Sequence, residues 1–122
     1  MTKYELKERF KKYAINVAFF VLKLPYNIVN KNYSDQLNRS ASGAAANYSA
    51  ALRAKSAPDF LNKLKIVEEE LDESVFFFEL IEAVNPKEGL KIKELRKEGT
   101  ELLAIIIKSI TTLRSKQIVN RN

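Results

Sequence analysis

The residues most able to do chemistry form an acidic cluster near the middle of the chain: Glu68-Glu69-Glu70, Asp72 and Glu73. Carboxylates can hold metal ions, and helical bundles with two metal ions combine Glu residues with Glu-x-x-His pairs. This chain contains no His. An all-carboxylate Mg²⁺ site is the remaining alternative, and the pattern supports it only weakly. We therefore expect no metal site and no cofactor.

Catalysis by a nucleophile or a general base lacks its usual residues here. There is no Cys to supply a thiolate, and the absence of His removes the commonest general base. The serines (Ser40, Ser42, Ser49 and Ser74) have no base partner of the usual kind. The missing His also excludes small helical ribonucleases of the Arg-x4-His type, and phosphate-binding loops and nucleophile elbows are absent. We expect a protein that is not an enzyme.

The charge of the chain is unevenly distributed. The net charge is +6 at pH 7; residues 57–86 carry −6, whereas residues 1–24, 25–56 and 87–122 carry +4, +3 and +5. A basic surface of this kind attracts RNA or DNA, with little sequence selectivity because no base-reading motif is present. The alternative is a set of solvated faces and interhelical ion pairs. The expected nucleic-acid-binding residues are Lys7, Lys11, Lys12, Lys91, Lys93, Arg96 and Lys97.

The elements that must position these residues are helices. Pro25 ends the first amphipathic segment, Ser34 is the expected N-cap of the second, Ser56 with Pro58 starts the third, and Asn85-Pro86 separates the third from the fourth. The predicted helices span about 2–24, 34–55, 57–84 and 87–116. Long helices with short links are typical of an all-α, up-and-down antiparallel four-helix bundle, here a single domain over residues 1–122.

Each predicted helix has an apolar stripe, and three helices have more apolar surface than one stripe requires. In the first helix, the 4–3 spacing predicts a core stripe of Phe10, Ala14, Val17, Val21 and Leu24. The third helix has a stripe that runs from Phe60 to Ile81. The excess apolar side chains indicate subunit contacts, and therefore a homo-oligomer. They are Phe19, Phe20, Phe76, Phe77 and Ile107.

Two features of the sequence concern its cellular location. The N-terminal residues are charged and amphipathic, unlike a signal peptide. The most apolar run, residues 14–22, is shorter than the roughly 20 residues that a membrane span needs. We therefore expect a cytoplasmic protein without membrane association.

Helices two and three contain a recognisable block of residues. It begins with the run from Gln36 to Tyr48, QLNRSASGAAANY, followed by Arg53-Ala54-Lys55-Ser56 and DFLNKL from Asp59. It continues as IVEEELDES from Ile66 and FFELI from Phe77. This block resembles the four-helix bundle proteins named after the intervening sequences of 23S ribosomal RNA. The chain departs from that pattern at Gly43-Ala44, where the family often has a large β-branched residue.

The resemblance has implications for assembly and for partners. It implies an up-and-down bundle that assembles into a ring-shaped pentamer. A related protein, the accessory variability determinant of diversity-generating retroelements, binds nucleic acid and a reverse transcriptase through a basic surface. Most members of the family have no established molecular function.

The resemblance also implies a set of polar positions on helices two and three. They are Arg39, Ser40, Asn47, Arg53, Lys63, Glu70 and Glu73. Glu70 and Glu73 share a helix face because they are three residues apart. We interpret the set as an interhelical network of buried hydrogen bonds and ion pairs that fixes the register of the bundle, rather than as a ligand site.

Two functions are compatible with this sequence. One is a non-enzymatic, homo-oligomeric accessory protein that binds nucleic acid or a nucleoprotein partner through its basic surface. The other is a structural or protein-interaction module with no nucleic-acid role, whose positive charge serves solubility. Salt-dependent binding to nucleic acid separates the two, because only the first depends on phosphate contacts.

Overall fold

The computed structural model describes the backbone of residues 1–121 and the side chains of residues 1–116. Four α-helices follow one another along the chain: α1 (Lys3–Lys23), α2 (Ile28–Ala51), α3 (Ala57–Val84) and α4 (Gly89–Arg121). A short 3₁₀ turn, Pro86–Glu88, precedes α4. No strand occurs within residues 1–121. The predicted all-α class is therefore confirmed.

Side chains that cap the first turns determine where three of the helices begin. The hydroxyl of Thr2 accepts a hydrogen bond from the Glu5 amide, and the hydroxyl of Ser56 accepts one from the Asp59 amide. Both caps satisfy amides that have no partner within the helix. The predicted start of the third helix at Ser56 is confirmed.

The predicted start of the second helix at Ser34 is wrong. The side chain of Asn27 accepts a hydrogen bond from the Asn30 amide at 2.8 Å, and α2 begins at Ile28, six residues earlier than Ser34. Asn is as good an N-cap as Ser, and the first turns contain an ion pair between Lys31 and Asp35 at 3.0 Å. The helix also ends earlier than predicted, at Ala51. The segment 25–33 is thus mostly helical rather than a connection.

The boundaries of the fourth helix also differ from the prediction of 87–116. Residues 86–88 form the 3₁₀ turn, and α4 extends to Arg121. Pro86 is favourable in the first turn of this short element because it lacks the amide hydrogen that would be unsatisfied there.

Consecutive helices run antiparallel, as aromatic pairs at both ends of the bundle show. Near one end, the rings of Phe10 in α1 and Tyr48 in α2 stack with centroids 4.8 Å apart. Towards the other end, Tyr33 in α2 and Phe77 in α3 are 6.2 Å apart. The interfaces α1–α2, α2–α3 and α3–α4 are the largest, and α1 also contacts α4. The chain is therefore an up-and-down four-helix bundle.

The core stripe of α1 is rotated from the predicted one. Tyr13 and Phe20 are buried together with Phe10 and Val17, whereas Ala14 is only partly buried. Both sets follow the 4–3 spacing, but aromatic rings at 13 and 20 fill more of the interior than small side chains at 14 and 21. The prediction for α3 is closer: Leu61 replaces Phe60 in an otherwise correct stripe.

The expected excess of apolar surface is confirmed at three of its five positions. Phe19, Phe76 and Ile107 have exposed fractions of 59%, 51% and 45%. Phe20 is buried in the core, and Phe77 packs partly buried against Tyr33. Within the described part of the chain, no helix is both long and apolar enough to cross a membrane.

Candidate nucleic-acid interface

The basic residues predicted to bind nucleic acid divide into paired and unpaired side chains. Lys11 pairs with Glu8 at 3.3 Å, Lys91 with Glu94 at 3.5 Å, and Arg96 with Glu82 at 3.2 Å. Within the part of the chain whose side chains are described, the other four have no carboxylate within 4.0 Å. These four are Lys7, Lys12, Lys93 and Lys97.

An ion-pair group that the sequence did not predict lies between these lysines. Arg9 of α1 donates hydrogen bonds to both carboxylate oxygens of Glu98 in α4, at 2.8 and 2.7 Å, and one to Glu101 at 2.6 Å. The hydrogen bond to Glu98 raises the pKa of the Arg9 guanidinium. Two acidic side chains therefore lie at the seam between α1 and α4, the two helices that carry the seven predicted residues.

The unpaired acidic residues are concentrated on α3. Among residues 1–116, the acidic side chains without an ion pair are four on α3 and only Glu5 and Glu88 elsewhere. The four on α3 are Glu68, Glu69, Asp72 and Glu79. Outside α3, many lysines and arginines have no partner within the same residues. The surface therefore separates into an acidic α3 face and a remainder that is basic.

The polar positions implied by the resemblance come together only in part. Arg39 of α2 lies 3.3 Å from the carboxylate of Glu70 and donates a second hydrogen bond to Glu73, both on α3. The hydrogen bond to Glu73 raises the pKa of Arg39. The Arg39 side chain is 51% exposed, and those of Glu70 and Glu73 are 18% and 31% exposed. The group links α2 to α3, but it is not the buried network that we predicted.

The other four polar positions do not join this group. Ser40 donates to the Leu37 carbonyl, and Asn47 donates to the Gly43 carbonyl, both within α2. Lys63 pairs with Asp59 at 2.6 Å within α3, which is the first cause of a lowered pKa of Asp59. Arg53 is exposed and has no ion pair among the described side chains. These positions are therefore separate from the Arg39 group.

Gly43 makes room for one member of that group. A β-carbon at this position would overlap the carboxylate of Glu70. The small residue thus lets a side chain of α3 lie against the backbone of α2, where Arg39 reaches it. The space left by the missing β-carbon is taken by the Glu70 side chain.

Two interhelical hydrogen-bonded pairs were missed by the sequence analysis. The side-chain amides of Asn30 in α2 and of Asn85, the residue that follows α3, bond reciprocally, at 3.1 and 2.8 Å, and Asn30 is buried. In the core, the hydroxyl of Tyr13 lies 2.9 Å from that of Ser74. The sequence indicates Asn85 only as part of a helix end, and Ser74 only as a serine without a base partner that lies between Phe60 and Ile81. A polar side chain at a core position needs a hydrogen-bond partner, and this requirement was the signal that could have predicted both pairs.

The acidic residues do not converge. Within the described residues, no group of three or more Asp or Glu side chains is arranged so that it could hold a metal ion. Glu70 and Glu73 are instead held by Arg39.

Comparisons with known proteins agree with this architecture. No protein-family model matches the sequence, and no curated protein matches it. Among solved structures, the chain is similar to a protein of unknown function from the S23 ribosomal protein family of Bacteroides thetaiotaomicron, solved at 1.70 Å resolution. The TM-score is 0.79 with 24% sequence identity, over 91% of this chain and 99% of that chain. This similarity establishes the shared helical fold.

Proposed function

We propose that this protein is a non-enzymatic, homo-oligomeric accessory protein that binds nucleic acid, alone or in a nucleoprotein, through its basic surface. The observation that supports the proposal is the separation of charge among the side chains of residues 1–116: unpaired acidic residues are concentrated on α3, and unpaired lysines dominate the other faces. Unpaired surface lysines can neutralise phosphates and release their counterions.

We propose that the unpaired lysines among the predicted residues carry most of the binding. Lys7, Lys12, Lys93 and Lys97 keep their charge available, whereas Lys11, Lys91 and Arg96 already have acidic partners. Because an ion pair presents little net charge to a phosphate, we expect the unpaired residues to contribute most of the affinity. The contacts are to the phosphate backbone, so sequence selectivity is weak.

Self-association is proposed to use two different faces. The outer side of α1 exposes Ile15, Phe19 and Leu22 beside Lys12, and the outer side of α3 exposes Phe76 beside unpaired acidic residues. These faces are complementary in charge, and each has an apolar centre. Contact between two different faces is a heterologous interface. Such an interface forms a closed ring when the rotation that relates one subunit to the next divides a full turn. A ring repeats the basic surface in every subunit, so weak contacts combine.

We also propose membership of the group named after the 23S ribosomal RNA intervening sequences. The support is twofold: the block of residues in helices two and three resembles that group, and the similar solved structure belongs to the S23 ribosomal protein family. The pentameric ring implied by the resemblance is the assembly that we propose. A cytoplasmic location is also proposed.

The binding proposal is tested by mobility-shift titration with RNA and DNA of mixed sequence at two salt concentrations. We expect binding at low salt, a steep loss at high salt, and a further loss in the variant Lys93→Glu/Lys97→Glu. The matched control is Lys11→Glu/Lys91→Glu, which changes the total charge equally at paired lysines. Equal losses in the two variants would contradict a binding surface at Lys93 and Lys97. No binding at low salt would favour the interaction module without a nucleic-acid role.

The assembly proposal is tested by size-exclusion chromatography with light scattering. We expect a mass about five times the 14.0 kDa of the chain, and dissociation in Phe19→Asp. The control is Ile28→Asp, since Ile28 is 70% exposed at the start of α2 and outside both faces. A wild-type monomer at high micromolar concentration would contradict the proposal.

A further inference from the structure

An open cavity of about 380 Å³ lies at the end of the bundle where α1 begins, α2 ends and α3 begins. Its lining includes Lys3 of α1, Tyr48 and Leu52 at the end of α2, Lys55 in the turn, and Phe60 of α3. Leu52 and Phe60 form an apolar wall, and the lysines lie at the exposed rim. None of these residues was assigned a role in the proposed function.

The Tyr48 hydroxyl is the unusual group in this cavity. The residue is 96% buried, with an exposed fraction of only 4%, because its ring stacks on Phe10. Within the described chain, the hydroxyl has no hydrogen-bond partner, whereas the comparable hydroxyl of Tyr13 bonds to Ser74. No fully buried side-chain polar atom among these residues lacks a partner. The Tyr48 hydroxyl is therefore not fully enclosed by protein, and because Tyr48 lines the cavity, it is the uncommitted donor nearest to a ligand bound there.

The surroundings of the hydroxyl favour a negatively charged ligand. Lys3 and Lys55 have no carboxylate within 4.0 Å in the described residues. The nearby Asp59 is occupied, because it accepts hydrogen bonds from the Lys55 amide at 3.0 Å and from Lys63 at 2.6 Å. The N-terminus of α3 also lies at this cavity, because Ser56 and Ala57 are among the lining residues. This terminus is the positive end of the helix dipole. A tyrosine hydroxyl is protonated at neutral pH, and burial raises the pKa of Tyr48 further.

We propose that this cavity binds a nucleoside phosphate. The phosphate lies between Lys3 and Lys55 and accepts a hydrogen bond from Tyr48, and the base lies against Leu52 and Phe60. An apolar wall and a volume much larger than an inorganic anion favour a ligand with an aromatic body. The ligand is either a free nucleotide or the phosphorylated end of a strand, and both present the same chemistry. The site does not require self-association or the lysines of α4.

The test is calorimetric titration of the whole chain with AMP, adenosine and inorganic phosphate at low salt. We expect AMP to bind more tightly than adenosine or inorganic phosphate. Tyr48→Phe should weaken the affinity for AMP roughly tenfold or more, the effect of losing a hydrogen bond to a charged group. The double variant Lys3→Met/Lys55→Met should weaken the affinity for AMP at least as much. The control Lys93→Met/Lys97→Met, with the same change in charge, should leave AMP binding unaltered. Tyr48→Phe keeps the stacking on Phe10, so its thermal midpoint should match that of the wild type.

The two sources of the ligand are separated with a short single strand that carries either a 5′-phosphate or a 5′-hydroxyl. A preference for the phosphorylated strand that Tyr48→Phe abolishes identifies the strand end. AMP binding without such a preference identifies the free nucleotide. The proposal is overturned if AMP does not bind, if Tyr48→Phe binds it normally, or if inorganic phosphate binds as tightly as AMP. That result would not contradict the proposed function. Salt-dependent binding of strands with 5′-hydroxyl ends in the mobility-shift assay depends on other lysines than Lys3 and Lys55.

Discussion

The hydroxyls of Tyr13 in α1 and Ser74 in α3 meet 2.9 Å apart across the core, and both residues are buried. Ser74 donates its proton to the Leu71 carbonyl at 2.7 Å, so Tyr13 must be the donor to Ser74. The pair is therefore asymmetric: each hydroxyl donates, but only that of Ser74 accepts from the other. This polar bond in an otherwise apolar layer fixes how α1 is rotated against α3.

This asymmetry predicts unequal effects of two substitutions. Ser74→Ala leaves the buried Tyr13 hydroxyl without an acceptor and should lower the free energy of unfolding by about 1–3 kcal/mol. Tyr13→Phe leaves Ser74 with its own acceptor and should cost less, about 1 kcal/mol. Urea denaturation of both variants measures the difference. A larger loss for Tyr13→Phe than for Ser74→Ala would contradict the assigned direction of the hydrogen bond.

Alkaline pH should weaken the fold through the same tyrosine. Burial raises the pKa of Tyr13 from the ordinary value of 10.0 to about 12. The folded state therefore favours the protonated hydroxyl, and this contribution is complete below pH 10 and lost as the pH rises towards 12. The loss is roughly 2–3 kcal/mol. Thermal midpoints measured from pH 9 to pH 12 should fall less steeply in Tyr13→Phe than in the wild type. Tyr26→Phe is the control, because Tyr26 is 86% exposed, and a wild-type slope unchanged by Tyr13→Phe would contradict the prediction.

Two helical glycines should respond in opposite ways to alanine. A β-carbon at Gly99 would lie 2.5 Å from the Tyr13 hydroxyl, which is held in the core, whereas one at Gly43 would meet only the flexible end of Glu70. Gly43→Ala should gain up to ~1 kcal/mol from helix propensity after Glu70 moves aside. Gly99→Ala should lose stability, since overpacking costs about 1–3 kcal/mol. Chemical denaturation compares the two, and Gly99→Ala in a Tyr13→Phe background should recover part of the loss. Equal effects at both positions would contradict the assigned contacts.

The Arg39 group should contribute modestly to stability. A fully buried pair would lose about 3–5 kcal/mol on removal of one member. Arg39 is half-exposed, however, and its bonds to Glu70 and Glu73 face solvent in part, so Glu73→Ala should cost no more than about 1 kcal/mol. Asn47→Leu should have a similar small effect, because it removes only a hydrogen bond within α2. Unfolding in low and high salt measures the cost, which should shrink in high salt for Glu73→Ala only. A loss of several kcal/mol in either variant would restore the interpretation as a buried network.

Helix ends were predictable where the sequence offers one strong signal and not where it offers two. Ser56 followed by Pro58 has no competitor nearby, and α3 begins there. In the second helix, Asn27 and Ser34 are both good caps, and the residues between them contain no helix breaker. Propagation of the helix to the earlier cap adds hydrogen bonds at little cost, so Asn27 is the one that is used.

The sequence was sufficient to predict which basic residues belong to the candidate interface. It was not sufficient to predict which of them are paired with acidic side chains. The excess of lysines and the acidic residues of the third helix can be counted directly in the sequence. Which lysines are neutralised depends on neighbours that are distant in the chain. Arg9 and Glu98 are 89 positions apart, and only the packing of α1 against α4 brings them together.

By itself, the sequence determined that this chain forms four amphipathic helices with short links, because apolar periodicity and capping residues are local properties of the chain. The tertiary structure alone decided which side of α1 faces the core. It also decided which lysines are unpaired, and that the Tyr48 hydroxyl has no partner, among the side chains of residues 1–116. Local interactions set the period of a helix but not its rotation about its own axis. That rotation is selected by the fit of side-chain volumes between helices, as the burial of Tyr13 and Phe20 in place of Ala14 and Val21 shows.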